Sequence, residues 1–204
     1  MKLKVCGMKY QENMESVAKL QPDFMGFIFY DKSSRYFQGN IPSLPNTIKK
    51  VGVFVDAPIS YVKSMINEHS LDMIQLHGNE NPHYCKEFDS IQIIKVFSIK
   101  DEFDFKILEP YESVCHYYLF DTKGQLPGGN GYVFDWSTLE NYPSGKPYFL
   151  SGGIGLNELD SIESFLQRQE SKHCYAIDVN SKFELEPGLK KIDELEKFRY
   201  ELQR

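Results

Sequence analysis

Short apolar or β-branched runs recur along this chain. Each is followed by a polar loop and, in most cases, by a segment with apolar residues every three or four positions. The runs are Leu3–Cys6, Phe24–Phe29, Val51–Val55, Met73–Leu76, Ile93–Phe97, Tyr117–Phe120, Tyr148–Leu150 and Ala176–Val179. Helical spacing marks Asn13–Lys19, Ile59–Asn67, Pro82–Phe88, Leu156–Gln167 and Ile192–Gln203. In the last of these, Ile192, Leu195, Phe198 and Leu202 fall on one helix face. Runs such as FMGFIF and VGVFV are almost continuously apolar, as strands buried on both faces are. Strands alternating with helices predict a parallel sheet. Eight such units predict closure, so the expected fold is α/β, a single (β/α)8 TIM barrel over residues 1–204. Barrels of this kind typically need ~250 residues, so some helices are expected to be trimmed. The best candidates for trimming are QGNIPSLPNTIKK, after the second run, and the stretch around Phe134–Leu139.

Composition excludes several classes. Hydrophobic residues make up 41% and charged residues 25% of the 204, with a net charge of −6, which suits one globular core. No segment concentrates Lys and Arg with interleaved aromatics, so nucleic acid is not an expected partner. The longest apolar stretches, such as the one around Phe24–Tyr30, are too short to span a bilayer. The N-terminus enters a strand-like run without the apolar core of a signal peptide, so the expected location is cytoplasmic. Cys6, Cys85, Cys115 and Cys174 form no CxxC pair and match no zinc spacing. Cys85, Cys115 and Cys174 read as small packing residues. The polar helix surfaces are compatible with a monomer.

Barrels place their chemistry at the C-terminal ends of strands and in the loops that follow. SGGIG, at Ser151–Gly155, leads into a helix, and VNS, at Val179–Ser181, follows the adjacent strand. Glycines let backbone N–H groups approach an anion, and a helix N-terminus favours negative charge. Gly152, Gly153, Asn180 and Ser181 are therefore candidates for binding the phosphate of a small substrate. Cys6 and Asp121 end strands that face each other across the barrel mouth. A thiol can act as a base where its thiolate is stabilised, and an enclosed carboxyl can act as an acid. On position alone, the plain readings, a small core residue for Cys6 and a loop-capping carboxylate for Asp121, outweigh catalysis. Arg35, in KSSRYF, suits a planar carboxylate held through two parallel hydrogen bonds. Without other evidence, a plain surface arginine is the stronger reading.

The segments KVCGMKY, MGFIFYDKSSRYF, VGVFVD, IQLHGNE, FDTKGQLPGGNGYVFDW, LSGGIGLNEL and AIDVNSKFELEPGLK, in this order, closely resemble phosphoribosylanthranilate isomerase. The resemblance implies an Amadori rearrangement in tryptophan biosynthesis. N-(5-phosphoribosyl)anthranilate would become the open-chain 1-(2-carboxyphenylamino)-1-deoxyribulose 5-phosphate. It implies Asp121 as general acid, Cys6 as general base, Arg35 on the anthranilate carboxylate, Gly153 and Ser181 on the phosphate, and Asp178 at the pocket floor. No metal or organic cofactor is implied, since the substrate nitrogen is the electron sink. Tyr132 and Val133, and Lys182 and Phe183 after VNS, depart from the family pattern at the edges of these loops. His77 reads as a residue holding the loop after the fourth strand. The other histidines read as surface or packing residues. Three rivals fit less well: the related isomerase of histidine biosynthesis, expected to carry aspartate where Cys6 stands; a phosphate-binding lyase or synthase; and a decayed barrel kept as a partner subunit.

Overall fold

Side chains along a strand alternate between two faces, and that parity organises the whole molecule. The computed structural model describes residues 1–99, 103–122 and 134–204. The strands are β1 (Lys2–Val5), β2 (Phe24–Ile28), β3 (Lys49–Phe54), β4 (Met73–Leu76), β5 (Gln92–Ile99), β6 (Tyr117–Thr122), β7 (Tyr148–Leu150) and β8 (Cys174–Val179). They pair in sequence order, all parallel, and β8 pairs with β1 to close the barrel. Phe24, Val51, Met73, Ile94, Leu119, Phe149 and Ala176 form one apolar cluster, which fills the lumen. The intervening residues, among them Leu3, Met25, Phe27, Phe54, Ile74, Leu76, Phe120 and Ile177, join a second cluster with the helices outside. The lumen is plugged towards its N-terminal end by aromatic rings. Phe24 meets Phe149 at 5.2 Å and Tyr117 meets Tyr175 at 5.0 Å.

Five α-helices cover the outside among the described residues: α1 (Gln11–Lys19), α2 (Ile59–His69), α3 (Pro82–Cys85), α4 (Leu159–Leu166) and α5 (Ile192–Leu202). In α5 the predicted face is real, with Leu195, Phe198 and Leu202 buried. No helix forms between β2 and β3, and among the described residues only a 3-10 turn, Trp136–Asn141, stands between β6 and β7. Trimming goes further than expected. The helix foreseen over Pro82–Phe88 is one α turn followed by a 3-10 turn, Lys86–Phe88. Proline at its first position and the Asn81 side chain, which accepts from the Tyr84 N–H at 2.9 Å, give it a sharp start. The described part of the β5–β6 connection holds a 3-10 turn, Phe105–Tyr111, carrying Pro110. Pro110 lacks the N–H that an α-helix interior would need. A small antiparallel hairpin, β9 (Glu184–Glu186) and β10 (Leu189–Lys190), follows β8 and was not anticipated. Its Pro187–Gly188 turn, with Gly188 at φ +92°, is the sequence signal for it. Among the described residues no helix is long and apolar enough to cross a membrane.

Candidate active site

Above the apolar plug, the lumen-facing positions turn polar. Lys4 and Cys6 on the β1 side, Gln75 on β4 and His77 just after it, Asp121 on β6, Ser151 after β7, and Asp178 and Asn180 at β8 all continue the lumen parity. They lead into a cavity of about 540 Å³ at the C-terminal mouth. Its walls include Cys6, Arg35, His77, Asp121, Gly152, Gly153, Asp178, Asn180 and Ser181. Every residue singled out in the sequence as a candidate thus opens onto one space. Ile28, Val53 and Val55 supply an apolar wall beside them.

Cys6 lies just beyond β1 and continues its pairing, donating its N–H to the Val179 carbonyl at 2.9 Å. Its thiol has room because β2 carries a glycine opposite. A Cβ on Gly26 would sit 2.7 Å from the Cys6 sulfur. Burial pushes the thiol's pKa up, while the ammonium groups of Lys4 and Lys190 pull it down. Lys4, fully buried two residues earlier on the same face, holds both oxygens of Asp178 at 2.9 and 3.0 Å. The two are register partners across β1 and β8. Burial works against the Lys4 charge, but Asp178 and Cys6 hold its pKa above the ordinary lysine value. Burial raises the Asp178 carboxyl, with Lys4 opposing it. Asp178 is therefore the counter-ion of the pocket floor.

Asp121 is buried, and one of its oxygens accepts from the Thr122 N–H at 3.0 Å. The other lies 3.5 Å from Nε2 of His77, whose Nδ1 faces the Gln75 amide nitrogen at 3.0 Å. If that amide donates to Nδ1, the ring proton sits on Nε2 and points at Asp121. His77 therefore faces the cavity rather than bracing its loop. Glu80 braces the loop instead, accepting from the N–H groups of Asp56 and Gly78. Most of the loop after Asp121, including Tyr132 and Val133, lies outside the described residues.

The glycine loop needs its glycines. Gly152 and Gly153 adopt φ of +97° and +67°, which L side chains resist. A Cβ on Gly152 would also come within 2.6 Å of the Thr122 backbone nitrogen. Gly155 lets the β7 and β8 loops touch, since a Cβ there would lie 3.0 Å from the Lys182 Cβ. The Gly155 N–H is taken by Glu158 at 2.7 Å. Among the described residues, those of Gly153 and Ser181 make no hydrogen bond to the protein. The two departures after VNS part ways. Lys182 lines the cavity, and Phe183 turns into the core against Phe198 at 5.1 Å.

Arg35 also lines the cavity but already has a partner. Its Nε donates to both Glu184 oxygens at 2.9 Å and its Nη2 to Oε2 at 2.7 Å. Sequence reading missed Lys4, Lys190 and Glu184. A lysine two residues before a lumen-facing cysteine was a readable signal for the first.

The family model for N-(5'-phosphoribosyl)anthranilate (PRA) isomerase matches residues 3–200. An N-(5'-phosphoribosyl)anthranilate isomerase of Parabacteroides distasonis is 40% identical, covering 96% of this chain and 90% of its own length. One from Agrobacterium fabrum is 32% identical, covering 96% and 92%. The crystal structure of phosphoribosyl anthranilate isomerase from Thermotoga maritima superposes with a TM-score of 0.85 at 29% identity, over 100% of this chain and 98% of that one. A phosphoribosyl anthranilate isomerase in complex with reduced 1-(o-carboxyphenylamino)-1-deoxyribulose 5-phosphate superposes with a TM-score of 0.82 at 27% identity, with the same coverage.

Proposed function

The chain belongs to the N-(5'-phosphoribosyl)anthranilate isomerase family, isomerases of tryptophan biosynthesis, and from that premise we propose that Asp121 and Cys6 are the acid and base of its Amadori rearrangement. Asp121 protonates the furanose ring oxygen. The C1′–O bond breaks and the ring opens to an iminium at C1′ and the anthranilate nitrogen. Cys6, as thiolate, removes the C2′ proton, and the electron pair moves onto the iminium to give an enolamine. Tautomerisation yields the ketone. The nitrogen gives its lone pair as the C1′–O bond breaks and takes an electron pair back as the C2′ proton leaves.

One observation carries this reading: Cys6 and Asp121, at the ends of non-adjacent strands, open onto the same cavity. Lys4 and Lys190 favour the thiolate against the cost of burial. The β7 and β8 loops offer N–H groups to the phosphate, with Lys182 adding a positive charge on the same wall. At the β2 side, Arg35 takes the anthranilate carboxylate, and Ile28, Val53 and Val55 give the aromatic ring an apolar wall. Asp178 anchors Lys4 and Asn180 anchors Lys190.

The test is a turnover assay on freshly made phosphoribosylanthranilate, following loss of its fluorescence. Enzyme-dependent loss with formation of the carboxyphenylamino ketose is the expected result. Loss with release of free anthranilate would mean hydrolysis and would defeat the assignment.

A further inference from the structure

The arginine assigned to the substrate carboxylate is gripped by a glutamate that never reaches the cavity. A guanidinium has two hydrogen-bonding edges. The side edge, made of Nε and Nη2, is filled by Glu184 through three hydrogen bonds of 2.7–2.9 Å. Among the described residues, Nη1 makes no hydrogen bond to the protein, so the end edge of Nη1 and Nη2 remains for a ligand. Arg35 lines the cavity, whereas Glu184 and Lys190 do not. Glu184 therefore holds the guanidinium from behind.

Glu184 is itself fixed from several sides. Lys190, buried on β10, donates to its Oε1 at 2.6 Å and to the Asn180 side-chain oxygen at 2.7 Å. The Gly188 N–H, in the hairpin turn, donates to the same Oε1 at 3.1 Å. Burial opposes its charge, but Arg35 and Lys190 keep the carboxyl below the ordinary glutamate range. The arginine stem packs over the end of β1, where a Cβ on Gly7 would come within 2.8 Å of the Arg35 Cδ. The hairpin after β8 thus acts as a bracket for a side chain of the β2 loop.

We infer that Glu184 is a positioning residue for substrate recognition, aiming the end edge of Arg35 at the anthranilate carboxylate. The inference rests on the reading that Arg35 takes that carboxylate. The opposite role is physically reasonable: a carboxylate beside Arg35 could compete with the substrate's own, or weaken its field.

Inhibition constants for two non-reacting ligands separate these roles. One is the reduced product analogue, and the other is the same molecule lacking the aromatic carboxylate. Glu184→Gln is expected to raise the constant for the carboxylated analogue about tenfold, as for loss of one charge-assisted contact, and to leave that for the decarboxylated one unchanged. KM should rise with little change in kcat. Tighter binding of the carboxylated analogue would make Glu184 a competitor and overturn the inference. Equal weakening of both ligands would make it a mere structural brace and overturn it too. Arg35→Met is measured alongside. If it fails to discriminate between the analogues, the carboxylate reading itself falls. If it discriminates and Glu184→Gln does not, only the positioning role falls. Glu184→Gln/Lys190→Gln, which leaves no unpaired buried ammonium, repeats the two inhibition constants alone, should the single variant fold poorly.

Discussion

Lys4 and Lys95 are both buried strand lysines paired with a buried acid, yet they lie on opposite faces of the barrel wall. Lys4 points into the lumen. Its partner Asp178 lines the cavity, and its charge reaches the Cys6 thiol. Lys95 points outward from β5. It spends its three N–H groups on the Leu76 carbonyl at 3.3 Å, the Gly78 carbonyl at 2.7 Å and Glu80 at 3.0 Å. Neither Lys95 nor Glu80 touches the cavity. Burial and ion pairing are alike in the two places, so they do not distinguish chemistry from scaffolding. The face does. A charge on the lumen side acts on whatever the mouth holds, and a charge on the outer side closes a loop.

The largest expected effect lies on the lumen side. Cys6→Ser should lower kcat by a factor of order 10²–10⁴, because a hydroxyl does not accept the C2′ proton at neutral pH. Asp121→Asn should do the same by a similar order of magnitude. Both variants should bind the reduced product analogue as the native protein does, measured by titration calorimetry. A Cys6→Ser enzyme retaining more than about a tenth of native kcat would remove Cys6 from the role of base, given that range.

The comparison itself is sharpened by substituting both lysines. Lys4→Met and Lys95→Met should each lower stability by about 3–5 kcal/mol, since each strands a buried carboxylate. Urea unfolding midpoints measure that loss. Only Lys4→Met should also change the thiol. Burial already raises the Cys6 pKa, and Lys4 is the largest opposing influence. Its removal should therefore move the rise in iodoacetamide reactivity to higher pH. The same sign governs stability. The protonated thiol is favoured by the fold, so its contribution is full at low pH and fades as pH rises through the folded-state value. A Lys95→Met protein whose alkylation profile at Cys6 is equally displaced would break the distinction between the two faces.

Smaller again is Gly26→Ala. The new methyl would meet the Cys6 sulfur at 2.7 Å, an overpacking that costs about 1–3 kcal/mol. The thiol should be displaced, so kcat should fall more than the melting temperature suggests. Native kcat with native melting temperature would mean that the sulfur has another place to go. The smallest effect belongs to the exposed Lys49–Asp72 pair, 3.1 Å apart. Lys49→Met should shift stability by less than about 1 kcal/mol and leave kinetics untouched.

The chain by itself determined the eight strands, their order and their parity, because period-two and period-3.6 patterns report local geometry and burial directly. FMGFIF and VGVFV could hardly be anything but doubly covered strands. That Cys6, Asp121, Gly153 and Ser181 would open onto one space was legible for the same reason: strand ends in a barrel share one mouth, so position along the chain stands in for position in space. Tertiary structure alone decided which partners those residues meet. Lys4 and Asp178 are 174 residues apart, and Arg35 and Glu184 are 149 apart. No local pattern encodes such pairings. They arise when closure of the barrel brings β8 and its hairpin against β1 and the β2 loop. His77 makes the same point from the other direction. Its motif suggested a loop brace, but the parity of β4 turns its ring to the lumen and leaves the bracing to Glu80. Which way one side chain points is settled by the wall it is built into.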